Sequence, residues 1–460
     1  MTIPIRAAAD LQESEIPWCP QRPSHWFTVR TKWLFQHKKV LNQIGEQAQI
    51  LSLTLRGVVE NDPENPEGLV PKDYNTYQVF NKGDLVFKLI DLENLKTSRV
   101  GLVHRDGIMS PAYVRLVPTN PMVVEYFYYQ FYSLYLQGVY NQLGSGVRST
   151  LGPSDLGNLP IFLPPLEEQQ KIVSFIQQQD RRIRKFIRNK KKLIGMLRDR
   201  RKQICNSIIG RGLNAEAPMK TTAFPWVGEI PVHWKLTRIK NEFICLNPRR
   251  IPLSSSVRGG MSIRRYDYYG ASGVIDKVDG YIFDDDLLLI AEDGANLVFR
   301  NLPLAIIARG KFWVNNHAHI LKPREGDLEF LAMALERLNY SPWITGAAQP
   351  KLTKDRLMSI PIAVPSPDEQ RIIVEALRRE LSPLDASINQ ARVEIDLIGE
   401  YRSRLIADAV TGKIDLRNFQ PSDEAISPDT DPDLSIEESD ELNEDYNEDE
   451  ELLAEAVNAN

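Results

Sequence analysis

Few residues of this sequence have the types and spacing that catalysis requires. An adenine methyltransferase needs an Asn/Asp-Pro-Pro-aromatic loop, and neither NPPY nor DPPF occurs. Gly144–Gly146 reads Gly-Ser-Gly, but it does not follow a clear strand of a βαβ unit, as a cofactor-binding turn would. Thr411–Ile414 reads TGKI and lacks the first glycine and the Ser/Thr of a Walker A motif. The sequence therefore predicts that this chain has no catalytic machinery of its own.

Two short runs have residues of the kinds that bind metal ions. Asp284–Asp286 adjoin LLLI at a predicted strand start, where a solvated acidic turn is the simpler interpretation. His317 and His319 alternate on one face of a predicted strand, and polar sheet residues are the alternative to a zinc pair. The three cysteines form no CxxC pair, so neither a zinc knuckle nor a disulfide framework is indicated. We expect this chain to bind no metal and no cofactor.

Basic side chains are the more promising functional residues, because Lys and Arg hold phosphates and Arg reads bases. The strongest stretch is SVRGGMSIRRYDYYG (256–270), which combines flexible glycines, three arginines and aromatic residues. For each basic residue the alternative is a solvated surface charge. The candidates for DNA contact are Arg56, Lys72, Lys96, Arg99, Arg105, Arg148, Arg249, Arg250, Arg258, Arg264, Arg265, Arg300 and Lys351.

An internal repeat shows which elements must position these residues. The stretch IPWCPQRPSHWFTVRTKWLF (Ile16–Phe35) returns as FPWVGEIPVHWKLTRIKNEF (Phe224–Phe243) at an offset of 208. PIFLPPLEEQQKIVSFI, from Pro160, returns as PIAVPSPDEQRIIVEAL, from Pro361, at an offset of 201. His25-Trp26 and His233-Trp234 recur in the first of these pairs, and we expect them to be packing residues with one polar partner each.

The middle of each copy differs from the other, although both have the same kinds of segment. Short β-rich runs are predicted at 83–92, 110–118, 280–297 and 311–323, and helices at 120–137 and 326–341. The sheet regions of the two copies align poorly. This pattern indicates either a duplication whose middles drifted freely, or two recognition modules with separate targets on a shared two-fold frame.

After each repeated proline stop, apolar residues recur at spacings of three, four and seven, as in a coiled coil. The first stripe continues to Ile208 and the second to Ala409. Pro383 should kink the second helix, or restart it with Ser382 as its N-cap. The predicted interface residues are Ile172, Ile176, Ile183, Ile187, Ile194, Leu197, Ile204, Ile373, Leu377, Leu384, Ile388, Ile395, Ile398 and Leu405.

The net charge of −5 conceals an uneven distribution. Residues 418–460 contain sixteen Asp and Glu and no Lys or Arg, so residues 1–417 carry a net charge of +11. A basic body permits nucleic-acid binding. The acidic tail is expected to be disordered, with solubility as its simplest role and transient DNA mimicry as the alternative. The run RRIRKFIRNKKK (181–192) could bind a partner subunit, bind DNA or form a solvated helix face.

This layout resembles the specificity subunit of type I restriction–modification systems. The resemblance rests on GEIPVHWKLTRIK, YYGASGVIDKVDGYIFDDDLLLIAEDGANL (Tyr268–Leu297), QPKLTKDRLMSIPIAVPSPDEQRIIVEAL and YRSRLIADAVTGKIDLR (Tyr401–Arg417), and on LGNLPIFLPPLEEQQKIV in the first copy. It covers about residues 16–417. The first copy departs from the family in CPQRPSHW, and it lacks a clear YYGASG match.

The resemblance implies an α/β (α+β) fold with a pseudo-two-fold repeat. Two mixed α/β target-recognition domains would be separated by two long antiparallel helices that form a coiled coil. The implied regions are 1–160 (first recognition domain), 161–215 (first helical spacer), 216–361 (second recognition domain), 362–417 (second helical spacer) and 418–460 (acidic tail).

The resemblance also implies a function. Each domain would read one half of a bipartite double-stranded DNA target. The helices would set the spacing and dock two methyltransferase subunits, and restriction/translocase subunits would join for cleavage. S-adenosylmethionine, ATP and Mg²⁺ would then belong to the partner subunits. No apolar run is long enough to span a membrane, and a cytoplasmic location is expected. The alternatives are a self-contained methyltransferase or nuclease with unrecognised motifs, and a purely structural coiled-coil protein.

Overall fold

The computed structural model describes residues 3–42, 49–55, 57–62, 73–90, 92, 98–144, 150–294, 296–300, 302–346 and 350–421. The chain divides into a first unit, formed by residues 1–190 and 393–460, and a second unit, formed by residues 191–392. Each long helix contributes one part to each unit, so the helical regions do not form units separate from the recognition domains.

The first copy of the repeat contains short strands, three short or medium helices and one long helix. Their bounds are β1 Leu11–Ile16, β2 Cys19–Pro23, β3 Phe27–Arg30, β4 Phe35–His37, β5 Leu51–Thr54, β6 Gly57–Glu60, β7 Gln78–Phe80, β8 Leu85–Phe87, β9 Val100–Leu102, β10 Gly107–Met109, β11 Val114–Pro118, α1 Val124–Leu136, α2 Val139–Leu143, α3 Pro153–Asn158, β12 Pro160–Leu163 and α4 Leu166–Arg211.

The second copy has the same overall succession of elements. Their bounds are β13 Met219–Thr221, β14 Glu229–Pro231, β15 Lys235–Arg238, α5 Ile239–Glu242, β16 Phe243–Cys245, α6 Ser255–Gly259, β17 Tyr266–Gly270, β18 Gly273–Val278, β19 Phe283–Asp284, β20 Leu287–Ala291, α7 Asn296–Phe299, β21 Ala305–Ala308, β22 Lys311–Val314, β23 Ala318–Pro323, α8 Leu328–Glu336, α9 Lys354–Ser359, β24 Pro361–Val364 and α10 Pro367–Val410. Both predicted medium helices and all four predicted β-rich runs are confirmed.

The repeated ends of the two copies fold identically, down to the residue register. In the β1–β2 hairpin Leu11 pairs with Pro23, and in β13–β14 Met219 pairs with Pro231, which keeps the offset of 208 on both strands. The β3–β12 pair matches the β15–β24 pair in the same way. Register depends on which side chains must face the core. The repeat in the sequence is therefore a repeat of packing.

The poorly aligned middles also contain one common sheet. Its strand order is β4-β11-β8-β9 in the first copy and β16-β23-β20-β21 in the second. In the first unit α1 packs Phe127 and Phe131 edge-to-face against Phe35 of β4. Aromatic pairs of this kind add to the burial of apolar area. The poor sequence alignment of the two middles therefore conceals a common sheet.

The two copies differ in the lengths of the segments before and after one hairpin. This hairpin is β5–β6 in the first copy and β17–β18 in the second. The offset between equivalent residues rises from 208 at Phe35 and Phe243 to 216 at the hairpin turns, Gly57 and Gly273. It then falls to 203 at strands β8 and β20, which follow the hairpins, because Leu85 and Leu288 pair with the equivalent residues Leu116 and Leu321. The second copy is thus longer before its hairpin, and the first copy is longer after it. The added segment of the second copy contains the arginine-rich stretch.

In the first unit, the start of α4 packs against the end of α10. Ile172 and Ile176 share a buried cluster with Leu405 and Ala409. Asp180 of α4 pairs with Arg402, and ten residues further on Lys190 pairs with Glu394. As the residue number rises on one helix it falls on the other, so the helices run antiparallel in this unit.

In the second unit, the end of α4 packs against the start of α10 in the same antiparallel sense. Ile209 lies in a buried cluster with Ile373 and Leu377, and Ile204 and Leu384 pack against that cluster. All fourteen predicted interface residues are buried or half-buried, nine of them buried.

The predicted restart at Pro383 is wrong, because α10 is continuous from Pro367 to Val410 with Pro383 inside it. The helical pattern on both sides of this proline and the burial of Leu381 and Ile388 stabilise one continuous helix. No helix in the described ranges is long and apolar enough to cross a membrane. The tail was predicted to be disordered, and its residues from 422 onward lie outside the described part of the chain.

Candidate DNA interface

The doubled Glu-Gln motif at the start of each long helix fastens the recognition domain to that helix. In the first unit Glu168 accepts a hydrogen bond from Trp26 Nε1 at 2.9 Å and also bonds to His25. Trp26 is only 1% exposed. Arg6, also buried, approaches Glu168 at 3.5 Å and donates to the carbonyl of Gly412 at the end of α10. This joint connects three segments that are distant in sequence.

The second unit repeats this joint with one difference. Glu369 accepts from Trp234 Nε1 at 3.0 Å and bonds to His233 at 3.0 Å, and Gly212 at the end of α4 packs on the Trp234 ring. The structure places no arginine at Glu369 among the described residues. In both units the glutamate of the doubled motif is the polar partner of the histidine and the tryptophan. The expectation of packing residues is confirmed for Trp26 and Trp234, which are buried, but it is wrong for His25 and His233, which are exposed.

The glutamine beside each glutamate also has a fixed role. Gln169 and Gln370 are both 3% exposed. Each donates to the carbonyl of the preceding proline turn and accepts from a backbone N–H at the start of α1 or α8. A buried amide with its bonds satisfied holds one geometry. The recognition domains are therefore rigidly mounted at these points.

The arginine-rich segment of the second unit, 246–265, begins at a buried histidine. His319 is 0% exposed, and burial lowers its pKa, so the neutral ring is favoured. Its Nε2 donates to the Leu352 carbonyl at 2.7 Å, and its Nδ1 lies 2.8 Å from the Asn247 amide. Asn247 in turn accepts from the Ile320 N–H at 2.9 Å. His319 thus fixes the first residues of the segment, and both of its ring nitrogens have partners within the protein.

The middle of this segment is held against the β17–β22 strands. Trp313 Nε1 donates to the Ile251 carbonyl at 2.6 Å, and the Tyr268 hydroxyl accepts from the Leu253 N–H at 2.9 Å. Arg258 donates to Asp276 at 2.8 Å and to the Leu253 carbonyl at 2.6 Å, with its guanidinium 4.8 Å from the Tyr268 ring. The hydrogen bond from Arg258 lowers the pKa of Asp276. Arg258 is therefore committed to holding the segment in place.

The end of the segment is fixed by one carboxylate. Asp279 accepts from the backbone N–H groups of Ser262, Ile263 and Arg264 at 3.2, 2.8 and 2.7 Å. These bonds, with that of Arg264 the largest contributor, lower the pKa of Asp279. Arg264 has a left-handed φ of +45°, which is strained for a residue with a Cβ and persists only where the surroundings impose it. The turn therefore has a preset shape.

This preset turn presents one apolar and two basic side chains to solvent. Ile263 is 71% exposed, and Arg264 and Arg265 are also exposed. Arg264 lies 3.7 Å from Asp276, and Arg265 lies over the Tyr266 ring at 5.8 Å. Neither arginine is buried by these contacts. A fixed backbone with projecting arginines suits insertion into a DNA groove.

Three other predicted residues of the second unit have structural contacts. Arg250 bonds to Glu292 at 2.6 Å and to the Ala318 carbonyl at 2.9 Å. Arg300 donates to the carbonyl of Leu338 at 2.9 Å. Arg249 is exposed, with its guanidinium 4.6 Å from the Phe283 ring.

Glu292 collects several of these basic groups. Lys351 lies 3.4 Å from it, and its own side chain is half exposed. Burial opposes ionisation of Glu292, but the Arg250 hydrogen bond and the nearby cations outweigh it and lower the pKa. Arg250 therefore acts mainly inside the domain, whereas Arg249 and Lys351 remain accessible. Arg300 is exposed, but its guanidinium is held by the carbonyls of Glu336 and Leu338.

Two of the six candidates of the first unit lie among the described residues, Arg99 and Arg105. Arg56, Lys72, Lys96 and Arg148 lie outside them. Arg99 is 1% exposed and donates to the Ile90 carbonyl at 3.4 Å, so its buried position does not fit a DNA contact. Arg105 is two-thirds exposed and pairs with Glu60. Of these two described residues, Arg105 is the one that a ligand can reach.

The two runs that suggested metal binding have other partners. His317 bonds to Asp293 at 2.9 Å, and it lies before β23 instead of within it. Asp285 pairs with Lys322, and Asp286 with Arg309 at 2.9 Å. Within the ranges that the structure describes, no group of three His, Cys, Asp or Glu is arranged to hold a metal ion.

The residues that shape the turn were missed by the sequence reasoning. Asp276 and Asp279 lie in the motif DKVDG, just after the quoted YYGASG, and Trp313 lies in a run recognised only as a strand. An acid that accepts successive backbone N–H groups has no spacing rule comparable to that of a helix. The available signal was an Asp-Gly turn opposite an arginine-rich run.

A family model described as the type I restriction modification DNA specificity domain matches residues 58–194 and 231–396 of the chain. A type I restriction enzyme MjaVIII specificity subunit of Methanocaldococcus jannaschii is 24% identical over 340 residues, covering 68% of this chain and 76% of that protein. A putative type I restriction enzyme specificity subunit, S.HindORF215P of Haemophilus influenzae, is 38% identical over 149 residues. That second match covers 32% of this chain and only 36% of the relative.

A solved structure supports the same fold. It comes from a study of the structural basis underlying complex assembly and conformational transition of the type I R-M system. The chain matches this structure with a TM-score of 0.58 at 16% identity. The match covers 85% of this chain and 99% of that one. The family model alone covers more than half of the sequence, with one match in each copy of the repeat. This chain is therefore a member of the type I restriction modification DNA specificity domain family.

Proposed function

We propose that this chain is the non-catalytic DNA-reading subunit of a type I restriction–modification complex. Each recognition domain reads one half of a bipartite double-stranded DNA target. The chain binds two methyltransferase subunits and joins restriction/translocase subunits in the cytoplasm. S-adenosylmethionine, ATP and Mg²⁺ are then used by those partners.

One observation carries this proposal: the two copies share their scaffold and their sheet, but they differ in the segments around the hairpin. Shared joints at Glu168 and Glu369 mount both domains in the same way. The arginine-rich turn at Ile263–Arg265 belongs to the segment that only the second copy lengthens. A reader of two different half-sites needs a common frame and unlike reading surfaces.

Within the second domain we propose that Arg264 and Arg265 contact DNA directly, with Arg249 and Lys351 as accessible phosphate ligands. Arg258, Arg250 and Arg300 then act indirectly, because their donors are already bound to groups of the protein. Arg105 is the corresponding accessible candidate in the first domain. At Arg264 and Arg265 the backbone is already fixed by Asp279, so less backbone freedom is lost on binding than in a mobile loop.

The test compares the methylomes of otherwise identical cells with and without this gene. Loss of one bipartite adenine-methylation pattern on deletion supports the proposal, and an unchanged methylome contradicts it. In a second arm, the purified chain is incubated with DNA and labelled S-adenosylmethionine. Methyl transfer by the chain alone, with contaminating enzymes excluded, would show that it is an enzyme in its own right.

A further inference from the structure

One side of the helix pair in the first unit carries a series of exposed apolar side chains. On α10, Val393, Leu397 and Tyr401 follow one another at four-residue spacing and are 56%, 57% and 42% exposed. Residues four apart lie on the same side of a helix. On α4, Phe186 is 37% exposed.

Contacts show that Phe186 lies on the same side as the α10 residues. Lys190 places its Nζ 5.4 Å from the centre of the Phe186 ring and also pairs with Glu394, the neighbour of Val393. Phe186, Val393, Leu397 and Tyr401 are named here the apolar strip. Contiguous exposed apolar groups of this kind mark interaction surfaces.

The charge around the apolar strip is positive. Arg182 lies one turn before Phe186, and Arg404 lies one turn after Tyr401, and both are exposed, as is Lys185. Of the acids on this side, Glu394 is paired with Lys190, and Asp396 and Glu400 are exposed, so the three cations outnumber them. An occupant with leucines and an excess of carboxylates would satisfy both the apolar and the basic groups.

The chain contains a segment of this composition. Residues 449–457 read DEELLAEAV, with Leu452, Leu453 and Val457 among four acids. They lie in the stretch 418–460, which has sixteen acidic residues and no basic residue. The described part of the chain ends at Pro421, which belongs to the same unit as the apolar strip.

The segment is long enough to reach the strip. Phe419 packs on Phe175 of α4, with ring centres 5.4 Å apart. Phe186 lies eleven residues further along that helix, or about 16 Å. Leu452 follows Pro421 by 31 residues, and a chain of this length spans at most about 100 Å, well beyond the distance to Phe186. Tethering at this length gives an effective concentration in the millimolar range, so even a contact of about 100 μM affinity would be mostly formed.

We propose that residues 449–457 dock on the apolar strip of their own molecule. The leucines contact Leu397, Tyr401 and Phe186, and the carboxylates face Arg182, Lys185 and Arg404. The chain then covers this surface with its own acidic tail while it is free of partners. This inference does not depend on the proposed DNA-reading function.

The experiment introduces the photo-cross-linker benzoylphenylalanine in place of Leu453 in the full-length chain. The expected main products link this position to peptides containing residues 182–186 or 393–404. A mixture of isotopically heavy and light chains distinguishes links within one molecule from links between two. Links between heavy and light chains, main products at residues 246–265, or no specific product would each overturn the proposal.

A pair of variants separates apolar docking from general charge attraction. Leu397→Gln, which adds no charge, should reduce the cross-links at least fivefold. Ile263→Gln removes a more exposed apolar side chain, 71% against 57%, from the second unit and should leave them unchanged. Circular dichroism of both variants verifies that the helices are retained. Equal cross-linking in the two variants would show that the tail does not recognise the strip.

Discussion

Removing the glutamate of either joint should loosen only the unit that contains it. In Glu369→Ala, Trp234 remains buried and its Nε1–H loses the carboxylate that it bonds at 3.0 Å. Leaving a buried donor unpaired costs about 1–3 kcal/mol. The Glu369 side chain is 27% exposed, so water can partly replace it, and a value near the lower end is expected.

The same change in the first unit should cost more. Glu168 is less exposed, at 16%, and it is also the carboxylate nearest to the buried Arg6. One nitrogen of Arg6, Nη1, already lacks a partner. Removing one member of a buried ion pair costs about 3–5 kcal/mol, because the remaining charge is uncompensated. Glutamine should restore most of the stability at position 369, where an acceptor suffices, but not at position 168, where the charge is also needed.

Native-state hydrogen exchange measured by mass spectrometry provides the assay, since it reports each unit separately and needs no two-state assumption. Glu369→Ala should speed exchange in α8 by about 5- to 150-fold, which corresponds to 1–3 kcal/mol, and leave α1 unchanged. Glu168→Ala should do the reverse, with a larger factor. Two results would refute this account of the joints. One is an equal effect of Gln and Ala at position 369, and the other is a smaller acceleration of exchange by Glu168→Ala in α1 than by Glu369→Ala in α8.

Three further changes test other parts of the structure. Replacing Arg264 and Arg265 with Ala should weaken binding of the assembled complex to its site by about 1–3 kcal/mol if they read bases; unchanged affinity across a salt series would remove them from the interface. Burial opposes ionisation of Asp180, but Arg402 and Arg184 outweigh it and lower the pKa of this carboxyl. The stability that the ionised Asp180 contributes should be present above the pKa of the unfolded state and lost as the pH falls through the pKa of the folded state. Asp180→Asn should abolish that part of the acid sensitivity, measured by hydrogen exchange in α1, and an unaltered pH profile would contradict this. Duplicating residues 188–194 and 389–395 adds one heptad, or about 10 Å, to each long helix. This length corresponds to about three base pairs of DNA, over which the duplex rotates by roughly 100°. Methylome mapping should then show a longer spacer or lost recognition, and methylation at the original spacing would exclude a ruler role.

The repeat made the scaffold predictable from the sequence. Trp26 and Trp234 lie at the offset of 208, and Glu168 and Glu369 at the offset of 201, and each tryptophan donates to the glutamate of its own copy. The interface residues of the long helices followed from spacing alone. Helix periodicity is a local property, so it survives without knowledge of the tertiary contacts.

The reading surface was much less predictable. Arg258, Arg264 and Arg265 look alike in the sequence, yet Arg258 fastens the segment while the other two project from it. Arg99 was equally basic and is buried. Whether an arginine is held or projects depends on the acids and carbonyls that the fold brings to it, such as Asp276 and the Leu253 carbonyl at Arg258. Charge composition alone therefore identifies candidates without ranking them.

The central claim is that two separate domains read two half-sites from one frame. Replacing residues 44–158 with the equivalent region of a relative of known target, followed by methylome mapping, tests it most directly. The account predicts a hybrid target in which one half-site is exchanged and the other half-site and its methylation are retained. A change in both half-sites, or in neither, would contradict it.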